Sequence, residues 1–108
     1  MLRSRKLFQA LEQHASGEVL DIGGWDFFLH ATKDPKIKFS NWTNLERDAA
    51  HVPDIKDPRY KLLIADGCDT KLPAGSFDTI LNMQVVEHVF EPIKMVEEIG
   101  RLLKKDGK

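Results

Sequence analysis

The sequence lacks most of the features that tie a chain to a membrane or to an oxidising environment. Cys68 is its only cysteine, so no internal disulfide can form, and one cysteine in 108 residues is typical of a reducing compartment. No apolar run approaches the roughly 20 residues that span a bilayer. The first residues, MLRSRKLFQALEQHASGE, are too polar for a secretory signal. We therefore expect a cytoplasmic protein that does not enter the membrane.

The sequence also lacks an excess of charge of one sign and a spacing of histidines typical of a metal site. Sixteen basic and 17 acidic residues give a formal net charge of −1, so no overall basic field favours a nucleic-acid partner. His14, His30 and His51 have no spacing typical of a metal site, and we predict no metal. No repeat or linker divides the chain, and its length suits one domain over residues 1–108.

The apolar pattern that is present predicts alternating helices and strands. Residues 18–22 are almost continuously apolar, which is typical of a parallel strand covered on both faces. An amphipathic helix is predicted at 4–15, a short helix at 27–32, and a last helix from Pro92. Further strands are predicted at 37–45, 60–65 and 77–83. This order favours an α/β fold, a Rossmann-like and mainly parallel sheet with flanking helices that ends after the fourth strand and its helix.

Carboxylates, glycines and amides stand where these strands end. Asp21, Gly23 and Gly24 follow the first strand, and Glu46 ends the second. Asp66 and Gly67 follow the third strand, and Gln84 follows the fourth. Ligands of such sheets bind beside the carboxyl ends of the strands. Glu46 lies 25 residues after Asp21, close to the offset of about 20 residues at which an acid binds ribose hydroxyls. A nucleotide-like cofactor is therefore predicted at this edge.

Over residues 18–108 the sequence resembles the class I S-adenosylmethionine-dependent methyltransferases. The resemblance rests on VLDIGG, TNLE, IADGCDTKLPAGSFDTIL, EHV and EEIGRLLKKDG, which occur in the family's order. It implies S-adenosylmethionine as cofactor and methyl transfer to an acceptor. The family usually has D-x-G-x-G-x-G where this chain has D-I-G-G-W-D, and the resemblance implies that the family's C-terminal part is absent.

Carried over by position, the resemblance assigns the cofactor to the strand ends. Gly23 and its neighbours Asp21 and Gly24 would face its methionine part. Glu46 would hold the ribose hydroxyls, and the backbone near Gln84 the amino-acid end. Asp66 and Gly67 would hold the adenine: the Asp66 carboxylate would accept from the exocyclic amine, and the N–H of Gly67 or Cys68 would donate to a ring nitrogen. No catalytic residue is assigned, because transfer from an aligned cofactor requires none.

Structural interpretations remain open for several of these residues. Asp21 is as well suited to capping backbone N–H groups of the loop. Glu46 is alternatively a solvated strand end, and Asp66 the first residue of a common Asp-Gly turn. For the remaining candidates a structural role is favoured. Asp78 is expected to bind backbone near the start of its strand, and His88 is a weaker candidate for a general base. Trp25, Phe27 and Phe28 are expected in the core, with a wall over the cofactor pocket as the alternative.

Two other functions remain as alternatives. A non-catalytic S-adenosylmethionine-binding or interaction module would keep the same acids without transfer. A nicotinamide-dependent oxidoreductase is disfavoured because G-x-G-x-x-G is absent. An unpaired fourth strand would favour a homo-oligomer through the open sheet edge. The sequence identifies no methyl acceptor.

Overall fold

A computed structural model of the chain describes residues 2–48, 53–83 and 92–107. Its helices are α1 (Leu2–His14), α2 (Phe27–Ala31) and α3 (Pro92–Leu102). Its strands are β1 (Glu18–Ile22), β2 (Asn41–Glu46), β3 (Tyr60–Ile64) and β4 (Thr79–Asn82). Every element predicted from the sequence is present.

The four strands form one parallel sheet in the order β3-β2-β1-β4. The chain therefore moves outward from β1 to β3 and then returns to place β4 on the other side of β1. This reversal is the switch point at which open α/β sheets bind ligands, next to the carboxyl ends of β1 and β4. The predicted α/β, Rossmann-like fold is confirmed.

Both faces of the sheet are covered, as the nearly continuous apolar sequence of β1 predicts. Val19, Trp42 and Leu81 pack against α1 and α2 on one face. Leu20, Ile22 and Leu45 pack against α3 on the other, where Met95 and Leu102 are buried. Four of the five β1 residues are buried, so this strand is the centre of the molecule.

The second strand is shorter than predicted. The expected strand at 37–45 begins only at Asn41, because residues 34–37 form a turn in which the Ile37 N–H donates to the Asp34 carbonyl. Ile37 is nevertheless buried, in the cluster that α1 and α2 cover. An apolar residue before a strand can thus fill the core from a loop.

The segment that follows α3 returns to the sheet. The Phe77 N–H donates to the Leu102 carbonyl at 3.0 Å, and the Lys104 N–H donates to the Phe77 carbonyl at 2.8 Å. These bonds form a single parallel bridge between Phe77 and Leu103 just before β4. Among the described residues, β4 itself pairs only with β1, so its other edge is open over Thr79–Asn82.

Candidate functional site

The turn after β1 is built from two glycines with different constraints. Gly23 has a φ of +74°, which favours glycine, and its N–H donates to the Leu45 carbonyl of β2 at 2.9 Å. Gly24 has no room for a side chain, since a Cβ there would lie 2.0 Å from Oδ1 of Asp21. The turn therefore folds back onto the Asp21 carboxyl group, and this close approach requires glycine at 24.

Trp25 is held in the left-handed region, at a φ of +62°, by two residues of β2. Its N–H donates to Oε2 of Glu46 at 2.7 Å, and its carbonyl accepts from Nδ2 of Asn44 at 2.9 Å. These bonds compensate a conformation that is unfavourable for a residue other than glycine. The carboxyl ends of β1 and β2 are thereby joined through one peptide segment.

The three aromatic residues of this region have different environments. Phe28 is 2% exposed and Phe27 packs at the edge of the same core cluster, as predicted. Trp25 is 52% exposed, so the prediction that it lies in the core is wrong. The bonds to Glu46 and Asn44 fix its backbone at the rim of the sheet, and the indole is left at the surface beside the turn.

Asp21 lies beneath the turn and is completely buried. Nε1 of Trp42 donates to its Oδ2 at 3.2 Å, whereas its Oδ1 has no hydrogen-bond partner among the described residues. Burial raises the pKa of Asp21 to about 7, and the negative charge of Glu46 acts in the same direction. The contact of Asp21 with the cofactor stays a prediction. Its position against Gly24 agrees with the alternative in which Asp21 caps the loop backbone.

Asn44 is a buried polar residue that the sequence interpretation did not single out. It is the register partner of Asp21 on β2, and its Nδ2 donates to the Trp25 carbonyl and to the Tyr60 hydroxyl, each at 2.9 Å. Its Oδ1 has no partner among the described residues. The sequence feature that could have identified Asn44 is its place in the middle of the buried strand WTNLE. A buried amide needs hydrogen-bond partners, whereas an apolar side chain does not.

The end of β3 lies next to Glu46. The Ala65 N–H donates to the Glu46 carbonyl at 3.0 Å, and Asp66 follows two residues beyond the end of β3, at an exposed position. Oδ1 of Asp66 accepts the Cys68 N–H at 2.8 Å. This hydrogen bond agrees with the alternative in which Asp66 is the first residue of an Asp-Gly turn. One N–H that we expected to face adenine therefore already donates to this carboxylate.

Gly67 is buried against α3. A Cβ at this position would lie 2.7 Å from Cε of Met95 and 3.6 Å from Cγ2 of Ile22. The residue therefore needs to be small for packing, and its predicted contact with adenine stays a prediction.

The structure thus brings Asp21, Gly23, Gly24 and Glu46 together, with Asp66 and Gly67 at the neighbouring strand end. Gln84 and His88 lie outside the described residues. Trp25 occupies one Glu46 oxygen, and in the described part of the chain Oε1 of the same carboxylate accepts no hydrogen bond. A carboxylate in this position has the chemistry to accept hydrogen bonds from the hydroxyls of a ribose.

Asp78 has the structural role that we predicted. Its Oδ2 accepts the Glu18 N–H at 2.7 Å, and Nζ of Lys104 lies 3.3 Å from the same carboxylate. The hydrogen bond from Glu18 lowers the pKa of Asp78, and Lys104 adds to this effect.

Residues 2–48, 53–83 and 92–107 contain no group of three or more histidine, cysteine or acidic side chains able to hold a metal ion. None of the helices in these ranges is long and apolar enough to cross a membrane.

Comparison with known proteins identifies methyltransferases among the relatives of this chain. A family model described as a methyltransferase domain matches residues 27–108. A probable S-adenosylmethionine-dependent methyltransferase of Mycobacterium tuberculosis is 34% identical over 62 residues, which are 57% of this chain and 22% of that protein. An uncharacterized methyltransferase of Mycobacteroides abscessus is 32% identical over 94 residues, or 82% of this chain and 36% of that protein.

Solved structures show the same architecture. A chain in the complex between the Haloferax volcanii Trm112 methyltransferase activator and a methyltransferase superposes with a TM-score of 0.80 at 21% identity. The match covers 96% of this chain and 47% of that one. The chain thus spans less than half the length of these relatives.

Proposed function

Because this chain belongs to the class I S-adenosylmethionine-dependent methyltransferase family, we propose that it binds S-adenosylmethionine and serves in the transfer of its methyl group to an acceptor. The name of the Mycobacterium tuberculosis relative supports this cofactor. The family to which the chain and its relatives belong supports methyl transfer over the non-catalytic alternative. The acceptor is not identified by any of these residues.

One observation carries the proposal: the Glu46 carboxylate adjoins the glycine turn. Its Oε2 accepts the Trp25 N–H at 2.7 Å, directly after Gly23 and Gly24, while its Oε1 accepts no hydrogen bond in the described ranges. A ribose needs an acceptor for its hydroxyls, and a turn close by leaves room for the part attached to its 5′ carbon. This set of groups fits a nucleoside-containing cofactor.

Different residues would bind different parts of the cofactor. Glu46 would hold the ribose hydroxyls, and Asp66 with Gly67 would hold the adenine. Gly23 and Gly24, supported by Asp21, would lie along the methionine part, and Gln84 would bind its amino-acid end. When bound, the cofactor supplies an electrophilic methyl group on sulfur. The chain's own contribution is then to bind and orient, which is worth about 7–11 kcal/mol of the barrier in favourable cases.

The test is ligand-induced thermal stabilisation by S-adenosylhomocysteine, the demethylated cofactor. Glu46→Gln keeps one oxygen for the Trp25 N–H and replaces the other with an amide, so it removes a charged acceptor without opening the turn. We expect affinity to fall roughly 10–100-fold, the value of a hydrogen bond to a charged group. Glu18→Gln is the matched control, because Glu18 lies at the opposite end of β1 and accepts from Asn41.

Three results would contradict the proposal. Stabilisation of the wild-type chain by NAD⁺ above that by S-adenosylhomocysteine would favour the oxidoreductase alternative. Equal affinities of wild type and Glu46→Gln would remove the role of this carboxylate. Binding of S-adenosylmethionine without transfer to any of a panel of amine, hydroxyl and carboxylate acceptors would favour the non-catalytic module.

We also propose a cytoplasmic location and self-association. The location is supported by the single free cysteine. Self-association is supported by the open side of β4 within the described sheet, whose backbone groups are able to pair with a second copy.

A further inference from the structure

Two buried oxygens beneath the glycine turn have no hydrogen-bond partner among the described residues, and they belong to neighbouring side chains. They are Oδ1 of Asp21 and Oδ1 of Asn44. The two residues are register partners on β1 and β2, whose backbones are about 4.8 Å apart in a parallel pair. Both side chains are completely buried. Two unpaired acceptors side by side in the interior are costly, and one hydrogen between them satisfies both.

The orientation of the Asn44 amide is fixed by its other contacts. The Trp25 carbonyl lies 2.9 Å from one amide atom of Asn44, and a carbonyl oxygen only accepts hydrogen bonds. That amide atom is therefore Nδ2, which also donates to the Tyr60 hydroxyl. Rotating the amide would place two acceptors against each other at Trp25. Oδ1 of Asn44 consequently points away from both groups and requires a donor.

The surroundings of Asp21 favour its neutral form. Trp42 donates to the other carboxyl oxygen and the Gly24 N–H also faces the group; both contacts lower the pKa of Asp21, but burial outweighs them. The titratable side chains that act on it from β2 and β3 are Glu46 and Tyr60, neither of which carries a positive charge. Burial without a compensating cation raises the pKa of Asp21 to about 7.

We infer that Asp21 carries a proton on Oδ1 and donates it to Oδ1 of Asn44, and that this shared proton makes Asn44 a positioning residue for the turn at 23–25. The amide held on one side by Asp21 holds the Trp25 carbonyl on the other. Glu46 holds the N–H of the same residue. The proton thus fixes the turn against which Glu46 is oriented. Its consequence for cofactor binding rests on the proposed function, whereas the proton itself does not.

The experiment follows urea-induced unfolding of the ligand-free chain from pH 5 to 8.5. Asp21 binds its proton more tightly when folded, so stability is lost as pH rises toward the folded pKa. Asp21→Asn supplies a permanent N–H donor to Asn44. We expect the unfolding equilibrium constant of the wild type, relative to Asp21→Asn, to rise about tenfold per pH unit between pH 5 and 7 and then to level.

Asp78→Asn is the matched control. Asp78 is an aspartate at a neighbouring strand whose pKa is lowered, so its titration falls below this range and its curve should run parallel to that of the wild type. A parallel curve for Asp21→Asn would overturn the inference. That parallel result is what an ionised capping carboxylate requires, because its titration falls below this range.

A second measurement uses the unmodified protein, so it remains possible if the Asp21→Asn variant fails to fold. The carboxyl ¹³C resonance of Asp21 should titrate with a midpoint near neutral pH. A midpoint in the ordinary range of aspartate, about 4, would overturn the inference and would indicate a buried water that donates to both oxygens. Because no ligand is present, either failure is distinguishable from a failure of the proposed cofactor site.

Discussion

Gly24 and Trp25 are adjacent in the chain, and different spatial neighbours determine their roles. At 24 the constraint is the buried Asp21 carboxyl group, 2.0 Å from where a Cβ would stand. At 25 it is the pair of hydrogen bonds to Glu46 and Asn44. The sequence D-I-G-G-W indicates a turn but gives no sign that the tryptophan, as well as Gly23, adopts the left-handed conformation.

Gly24→Ala should destabilise the fold. The added methyl group meets a carboxyl group that is fully buried and cannot move into solvent, so we expect a loss of about 1–3 kcal/mol in the free energy of unfolding, the usual cost of overpacking. Urea denaturation of the purified chain measures it.

Gly100→Ala is the control for this prediction. Gly100 lies within α3 and a Cβ there has no atom within 4 Å, so alanine should stabilise the helix by about 0.5–1 kcal/mol. Equal effects at positions 24 and 100 would show that the Asp21 contact does not constrain the turn.

At the scale of elements, α3 is fastened to the loop before β4 by one buried carboxylate. Oε2 of Glu98 accepts both the N–H and the hydroxyl of Thr70, at 2.9 and 2.6 Å. The Arg101 guanidinium donates to both Glu98 oxygens at 2.7 Å. Arg101, followed by Thr70, lowers the pKa of Glu98 to about 2. The sequence predicted a helix from Pro92, but it gave no indication of this polar contact.

Glu98→Gln should weaken this attachment. Hydrogen bonds to a buried charged group are worth about 1.5–3 kcal/mol, and we expect a loss of that order at pH 7. Because the folded pKa is lowered, the contribution is present above the ordinary glutamate pKa and is lost as pH falls toward 2. Wild type and variant should therefore approach each other in urea unfolding as pH falls from about 5 toward 2.

Glu97→Gln provides the comparison, since Glu97 is the exposed neighbour on the same helix and its replacement should change stability by less than about 0.5 kcal/mol. A Glu98→Gln deficit that stays constant with pH would contradict the assigned charge.

At the scale of the whole molecule, the two edges of the described sheet differ in charge. β3 has an exposed Lys61, a residue that discourages pairing with another chain, whereas Thr79–Asn82 contains no charged residue. We expect light scattering after size-exclusion chromatography to give twice the mass of one chain at micromolar concentration. Asn82→Lys, at an exposed position of β4, should shift the mass toward that of a monomer.

Lys61→Gln serves as the control and should leave the mass unchanged. A wild-type chain that remains monomeric over the concentration series would contradict self-association through this edge.

The sequence by itself determined the elements and the architecture. Apolar periodicity and the positions of glycine and proline depend on neighbours along the chain, and they correctly predicted the three helices, four strands and parallel sheet of the described ranges. Asp78 was also predicted correctly, because a carboxylate beside a strand start has few other roles. The position of Asp21, Gly23, Gly24 and Glu46 at strand ends correctly predicted that they lie at one edge of the sheet.

Only the tertiary structure decided which of these groups face one another. The register of β1 and β2 sets Asp21 beside Asn44, and the turn places Trp25 at the surface on a glutamate oxygen. These pairings join residues about 20 positions apart, and their strength depends on burial, which sequence spacing does not encode. For that reason the sequence predicts at which edge of the sheet a cofactor site lies. Packing decides that Asp21 is buried beneath the turn and that Glu46 lies at its rim.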